Sequence, residues 1–430
     1  MKRYDSYKDS GVKWIGEIPS HWKEYRLKYL LSRSAAGVWG DDEKEDENDI
    51  VCFRIADFDY GHGILKFDNI TYRNIQKGQL EGRQLSQGDL LIEKSGGGDA
   101  TPVGRVVRFN YDGEATCSNF IHSISVKETS SSNFLYYFFY SLYANKENLL
   151  YFNQTTGIQN LKVGEYLSQS IFLPELGEQK AIAEWLDVKC GEIDKLIATQ
   201  QRRIELLQEL RQSIITRAVT RGINPDAPLR DSGIDWIGQI PTHWDSCRLK
   251  FILHLLNGRA YAQNELLEEG KYKVLRVGNF FTNSQWYYSD LELEPDKYCH
   301  KGDLLYAWSA SFGPYIWDED NTIYHYHIWK VLLSEQYEKK YAYYVLDAIS
   351  NFKRGDVHGS TMTHITMDSM NNSVIPLPPL NEQREIVAYI EQETTKVDHA
   401  QQQAERQIEL LQELRQSVIT EVVTGKRKVC

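Results

Sequence analysis

The chain states one structural unit twice. Asp9–Trp22 reads DSGVKWIGEIPSHW, and Asp231–Trp244 reads DSGIDWIGQIPTHW. Farther on, IELLQELRQS occupies Ile204–Ser213 and recurs letter for letter at Ile408–Ser417. The unit is too long for a solenoid or propeller blade, so it reads as a duplicated domain plus helix. Two such halves in one chain predict a pseudo-twofold object. That object suits a ligand that itself offers two sites.

Shared anchors punctuate the halves. Arg54-Ile55-Ala56-Asp57-Phe58 corresponds to Arg276-Val277-Gly278-Asn279-Phe280, and Gly88-Asp89-Leu90-Leu91 to Gly302-Asp303-Leu304-Leu305. Leu173-Pro174 with Glu178-Gln179 corresponds to Leu377-Pro378 with Glu382-Gln383. The offset falls from 222 to 214 to 204 along these anchors, so the second half carries deletions. Between anchors the letters diverge. Variable segments on a common scaffold are where function usually sits, so the halves are expected to do one kind of job on different targets.

At 430 residues the chain can bury two to four full cores. Its six cysteines show no CxxC spacing, which argues against a zinc ribbon or disulfide framework and fits a reducing cytosol. The N-terminal MKRYDSYKDSG lacks the apolar stretch of a signal peptide, and no apolar run approaches the roughly 20 residues of a membrane span. A cytoplasmic protein is expected. The net charge of −11 opposes strong nonspecific binding to nucleic acid by the chain alone. Part of it is local: Asp41–Asp49 (DDEKEDEND) reads as a solvated acidic loop. Between Val51 and Val126 the charges nearly cancel.

Two segments are strongly helical, about 177–221 and 381–424. The first opens after Pro174 and stops before Gly222 and Pro225. Ala183, Cys190, Ile197, Ile204, Arg211 and Ala218 share one heptad position, and Leu186, Ile193, Gln200, Leu207 and Ile214 share the other. The second repeats this with Val387, Ile408 and Val422 against Ile390, Val397, Ala404, Leu411 and Val418. A long amphipathic helix needs a partner, and the expected partner is its own copy, antiparallel. Elsewhere, 51–58, 90–94, 104–109 and 121–126 read as strands. The aromatic runs 134–150 and 341–352 read as buried helices.

Catalytic constellations are missing: no GxxxxGK[ST], no HExxH, no GxSxG and no cofactor glycine turn with an NPPY-type tetrapeptide. His325 and His327 share a strand face that could ligate a metal, but no third ligand stands nearby. Matched polar loops are present instead. Lys94, Ser95, Gly96, Thr101 and Arg105 lie in or beside the loop after the first GDLL, and Trp308, Ser309 and Ser311 follow the second. Farther on, Thr156, Gln159 and Asn160 align with Ser360, Thr361, Thr363 and His364. Glycine permits close backbone approach, Lys, Ser and Thr suit phosphates or base edges, and Gln or Asn can pair with adenine.

On these motifs the chain resembles the specificity (S) subunit of type I restriction-modification systems over nearly its whole length. The marks are DSG[VI]xWIGxIPxHW, GDLL, LPxLxEQxxI and [IV]ELLQELRQS[IV]IT, each present twice. The resemblance implies an α+β fold of two tandem target-recognition domains, mixed in structure and separated by two long helices in an antiparallel coiled coil. The expected boundaries are 1–175, 176–222, 223–376 and 377–430. It implies a non-catalytic subunit with no cofactor of its own. Its partners would be double-stranded DNA with a bipartite, asymmetric sequence, two methyltransferase (M) subunits and, through them, restriction (R) subunits. S-adenosylmethionine, ATP and magnesium would belong to those partners. The matched loop residues, with Arg54 and Arg276 from the paired anchors, then become the candidate DNA contacts. A rival reading, a coiled-coil scaffold with two protein-binding domains, explains the helices and acidity but leaves the unlike polar loops unused.

Overall fold

Proline and glycine bound the two long helices. Pro174 precedes the first, and Pro378 and Pro379 precede the second. In the computed structural model, which describes residues 3–98, 100–155, 157–280, 283–309, 312–355 and 364–429, the helices span Leu176–Arg221 and Leu380–Val423. Gly222 and Gly425 follow them with φ of 71° and 73°. That left-handed conformation ends a helix and favours glycine. Among the described residues no helix is long and apolar enough to cross a membrane.

The chain forms two compact units: Met1–Gln201 with Glu405–Cys430, and Arg202–Ala404. The first unit holds a four-stranded antiparallel sheet in the order Val106–Arg108, Leu90–Glu93, Ile121–Val126, Leu31–Ala36. A second sheet runs Ala115–Cys117, Asp49–Phe53, Tyr72–Asn74, Asp41–Asp42, with its first pair parallel. The second unit repeats the first sheet and three strands of the second, whose fourth strand joins the opposite edge. One is Gly313–Ile316, Leu304–Ala307, Ile328–Leu333, Leu253–Asn257. The other is Tyr298–Cys299, Thr322–Tyr324, Tyr272–Leu275, Tyr287–Ser289, again with one parallel pair.

Local chemistry shortens some expected elements. The strand predicted over 51–58 ends at Phe53, because the Asp57 carboxylate accepts the Arg54 backbone N–H at 2.7 Å and folds a 3-10 turn, Ile55–Asp57. The strand predicted over 104–109 shrinks to Val106–Arg108. The aromatic helices are Ser132–Ala144 and Lys339–Gly355, and in the first the sequence Phe134–Phe139 is fully buried. The acidic loop is only partly a loop. Asp41 and Asp42 form an edge strand, and Asp46 and Asp49 both accept from the Asn74 amide, at 2.7 and 2.8 Å.

Each core is closed by ends of both long helices. In the first unit Leu186 and Cys190 pack in one cluster with Val418, Ile419 and Val422. In the second, Ile386, Val387 and Ile390 pack with Ile215, Ala218 and Val219. Ion pairs show the direction. Asp194 meets Arg415 at 3.5 Å while Trp185, nine residues earlier, lies under the Arg427 guanidinium, so the segments run antiparallel. In the second unit Arg211 meets Asp398 at 3.3 Å, the same pair from the opposite copies. The polar interruptions of the heptad stripe therefore set register. Every heptad position named from the sequence is buried or half-buried.

A buried tryptophan holds both helix ends in each unit. Trp22 Nε1 donates to Glu178 at 3.4 Å, and Trp244 Nε1 to Glu382 at 2.9 Å. The same rings lie against the terminal glycines: a side chain on Gly425 would overlap Pro19 and crowd Trp22, and one on Gly222 would crowd Trp244. Gly425→Ala should therefore destabilise the first unit by more than the about 1–2 kcal/mol of left-handed backbone strain, and by more than Gly222→Ala destabilises the second. Calorimetric unfolding of the two variants checks this ranking.

Candidate nucleic-acid interface

Three segments that are distant in sequence meet at one junction in the first unit. Strand Ser95–Gly96 pairs with Ile158–Leu161, in register Ser95↔Asn160 and Gly96↔Gln159. Leu161 N–H donates to Lys94 O at 2.8 Å. The Lys94 and Ser95 amides both donate to Phe120 O, at 2.8 and 3.0 Å, and Lys94 Nζ reaches Asn119 O at 3.4 Å. The two loops singled out from the sequence thus lie side by side, with the turn 118–120 as third member.

The second unit repeats the main bonds of this junction. Ser309 bridges His364, and Ile365 N–H donates to Trp308 O at 2.8 Å. Trp308 N–H donates to His327 O at 3.1 Å, and its indole Nε1 reaches Tyr326 O at 2.7 Å. Trp308 therefore replaces Lys94, Tyr326 replaces Asn119, and His364 replaces Asn160. The frame is common and the chemistry is not. Three backbone-tied segments with unlike outward side chains suit a surface that reads polar groups on an extended ligand.

The candidate residues divide by how their groups are used. Strand alternation separates Gln159 from Asn160. Gln159 is 2% exposed and its Oε1 accepts from Val103 N–H, so it props Val103 and does not face outward. Asn160 is exposed, and its Oδ1 accepts from the Ser95 hydroxyl at 2.7 Å. Arg105 is a wall residue: it makes two hydrogen bonds to Glu93, itself 1% exposed, and lies 3.5 Å above the Tyr60 ring centroid. Gly96 takes φ 119° at the junction, and exposed Thr101 exchanges backbone hydrogen bonds with Gly98. Thr156, Ser311, Ser360, Thr361 and Thr363 lie outside the described residues.

The paired arginines differ in a way that the sequence contained. Arg54 is tied to Asp57 at 2.9 Å. In the second unit Asn279 stands where Asp57 stood. It keeps the turn by accepting Arg276 N–H at 3.1 Å, but offers no charge. The Arg276 guanidinium lies over Tyr287 and acts electrostatically on His325 and His327. Burial first, then His327 and Arg276, push His325 down to about 4. Burial and Arg276 lower His327 as well. These rings meet edge to face at 4.7 Å, and His327 meets Trp308 edge to face at 4.9 Å. Among the described residues no group of three or more His, Cys, Asp or Glu could hold a metal.

Sequence reasoning did not single out Asn119 and Phe120 at all, and it considered the histidine pair only as metal ligands. One signal was available. Cys117–Ile121 aligns with Tyr324–Ile328 between the shared anchors, and it changes from Ser-Asn-Phe to His-Tyr-His inside otherwise apolar flanks.

The family model for the type I restriction modification DNA specificity domain matches residues 19–208 and again 241–410. The type I restriction enzyme MjaVIII specificity subunit of Methanocaldococcus jannaschii is 25% identical, over 68% of this chain and 70% of the relative. The StySPI specificity subunit of Salmonella potsdam is 24% identical, over 84% and 80%. Among solved structures, the HsdS subunit from Thermoanaerobacter tengcongensis superposes with a TM-score of 0.52 at 17% identity, covering 97% of this chain and all of that one. A chain from a structure of type I R-M complex assembly and conformational transition gives a TM-score of 0.69 at 17% identity, covering 94% and 98%. With two such domains on one repeated frame, the chain belongs to the type I restriction-modification DNA specificity family.

Proposed function

We propose that the chain is the non-catalytic specificity subunit of a type I restriction-modification complex, and that each unit reads one half of a bipartite, asymmetric double-stranded DNA sequence. The observation that carries this reading is the junction built twice with unlike side chains. Lys94, Asn119 and Asn160 offer a cation and amides; Trp308, Tyr326 and His364 offer rings and imidazole. Identical frames with different contacts give two unrelated half-sites, hence an asymmetric target. Lys94 supplies charge toward phosphate in the first unit and Arg276 in the second, so specificity does not rest on the net charge of the chain. Of the earlier candidates, Arg54, Arg105 and Gln159 act behind the interface, as does buried Ser95, whose hydroxyl holds Asn160, while Lys94, Asn160, Trp308, Ser309, Arg276 and His364 remain contacts.

The M subunits would dock on the outward faces of the long helices. Leu206 and Leu210 are 48% and 49% exposed, and their copies Leu410 and Leu414 are 46% and 47% exposed. Each pair is spaced i,i+4 and forms a short apolar stripe. Such a stripe, kept in both copies, fits a partner bound twice. S-adenosylmethionine, ATP and magnesium chemistry would reside in the M and R partners. Each helix runs from one unit into the next, so its length would set the spacer between half-sites, at about 1.5 Å per residue.

Exchanging residues 51–170 for those of another family member should change one half of the methylated sequence and leave the other intact. Methylome sequencing reads this directly, and a change in both halves would refute independent reading. Leu206→Asp with Leu210→Asp should weaken M binding in size-exclusion assembly while both units stay folded. With a folded value near 4 against an ordinary 6.5, His325 stays neutral from pH 8 to 5. It reads bases by hydrogen bonds rather than by charge, so the part of the second half-site preference that depends on His325 should not vary over that range. Its contribution to folding is present above pH 6.5 and is lost as pH falls toward 4, because the unfolded chain takes the proton first. An NMR titration of His325 with a midpoint near 6.5 would contradict this.

A further inference from the structure

We propose that the three-residue turns Ser118–Phe120 and His325–His327 are base-reading elements, one in each unit. The inference rests on the DNA-specificity reading above and names the segment that does the reading. Both turns join a strand of one sheet to a strand of the other: Ala115–Cys117 to Ile121–Val126, and Thr322–Tyr324 to Ile328–Leu333. Both close with the same bond, Ile121 N–H to Ser118 O and Ile328 N–H to His325 O, each 2.9 Å.

The backbone of each turn is fixed from two sides. On one side Lys94 or Trp308 binds it through main chain and side chain, as described. On the other a glycine lies flat against its carbonyls. A side chain on Gly37 would overlap the Cys117 and Ser118 oxygens, and one on Gly258 the Tyr324 and His325 oxygens. Neither glycine has a positive φ, so close approach alone requires it. The Gly37 and Gly258 amides donate to Ile121 O and Ile328 O, which repeats the contact in both units.

A backbone held this firmly, twice, carries entirely different letters. Asn119 and Phe120 face out in one unit and Tyr326 in the other, with Ser118 buried and His325 and His327 half-buried beside them. Asn119 is exposed, Phe120 is 44% exposed and Tyr326 is 39% exposed. Asparagine can bind adenine through two hydrogen bonds, and an aromatic ring can contact the thymine methyl. Tyrosine and neutral histidine offer single hydrogen bonds and a stacking face. Rigid backbone with exchangeable tips is the geometry that base reading needs: low ordering cost and a fixed approach. Neither sheet nor core uses these outward groups.

The test uses the full chain assembled with its methyltransferase partner and methylome sequencing as the readout. Asn119→Ala should relax preference at one position of one half-site by about 5- to 150-fold, the discrimination carried by one bidentate pair. Tyr326→Phe and His327→Ala should relax the other half-site only. Because the Asn119 and Tyr326 side chains are exposed, assembly and melting temperature of those two variants should match wild type, and size-exclusion and thermal scans establish that. An unchanged methylated sequence in all three variants would overturn the proposal, as would an equal loss of methylation at every sequence. A wild-type complex that methylates without sequence preference would instead overturn the DNA-specificity reading itself.

Discussion

Each unit depends on one buried tryptophan held between two helix ends. Trp22 binds Glu178 at the start of the first long helix and lies against Gly425 at the end of the second. Trp244 does the same between Glu382 and Gly222. A histidine beside each ring, His21 or His243, adds a second contact to the same carboxylate at 3.0 Å. The next residue along extends the joint. Gln179 is 3% exposed; it donates to Pro174 O and accepts from Ser131 N–H, which caps the aromatic helix. Gln383 is fully buried and does the same with Pro378 O and Glu338 N–H. Leaving such buried partners unsatisfied costs about 1–3 kcal/mol each, so the Glu-Gln pair ties three elements at one point.

The repeated motifs turn out to be scaffold. In DSG, Asp9 and Asp231 accept from Gly11 and Gly233 N–H, at 2.9 and 3.0 Å, and so fold a turn. In GDLL, Asp89 and Asp303 accept from Ser86 and His300 N–H at 2.9 Å, after glycines with φ of 89°, and the leucines fill the core. Motifs that identify a family need not be the residues that contact its ligand. Here the proposed contacts lie in segments that share hydrogen bonds and, Ser95 and Ser309 apart, no letters. That division would let one frame serve two different half-sites.

Much of the fold was legible in the sequence because periodicity and punctuation are local. The long helices are bounded by Pro174 and Gly222 and by Pro379 and Gly425, and the aromatic helices are marked by unbroken apolar runs. The site was half legible. The offset pattern pointed to Lys94 against Trp308 and Asn160 against His364, which strand pairing brings to equivalent places. It could not say which face Gln159 takes, because the register of a hairpin is set by pairing. Nor could it say that Arg105 pairs with Glu93 across two strands, or that Asn119 stands beside Lys94. Those are long-range contacts, and residue type alone is silent on them. The change from Asp57 to Asn279 was visible, yet only the geometry shows that it removes the charged partner from Arg276.

The central claim is that one repeated junction presents the DNA contact in both units. Hydrogen–deuterium exchange on the chain assembled with its methyltransferase partner, with and without cognate duplex, tests it most directly. The account predicts added protection around residues 94–96 and 118–120 in the first unit and around 308–309 and 325–327 in the second. Protection confined to the long helices, or to one unit alone, would contradict it.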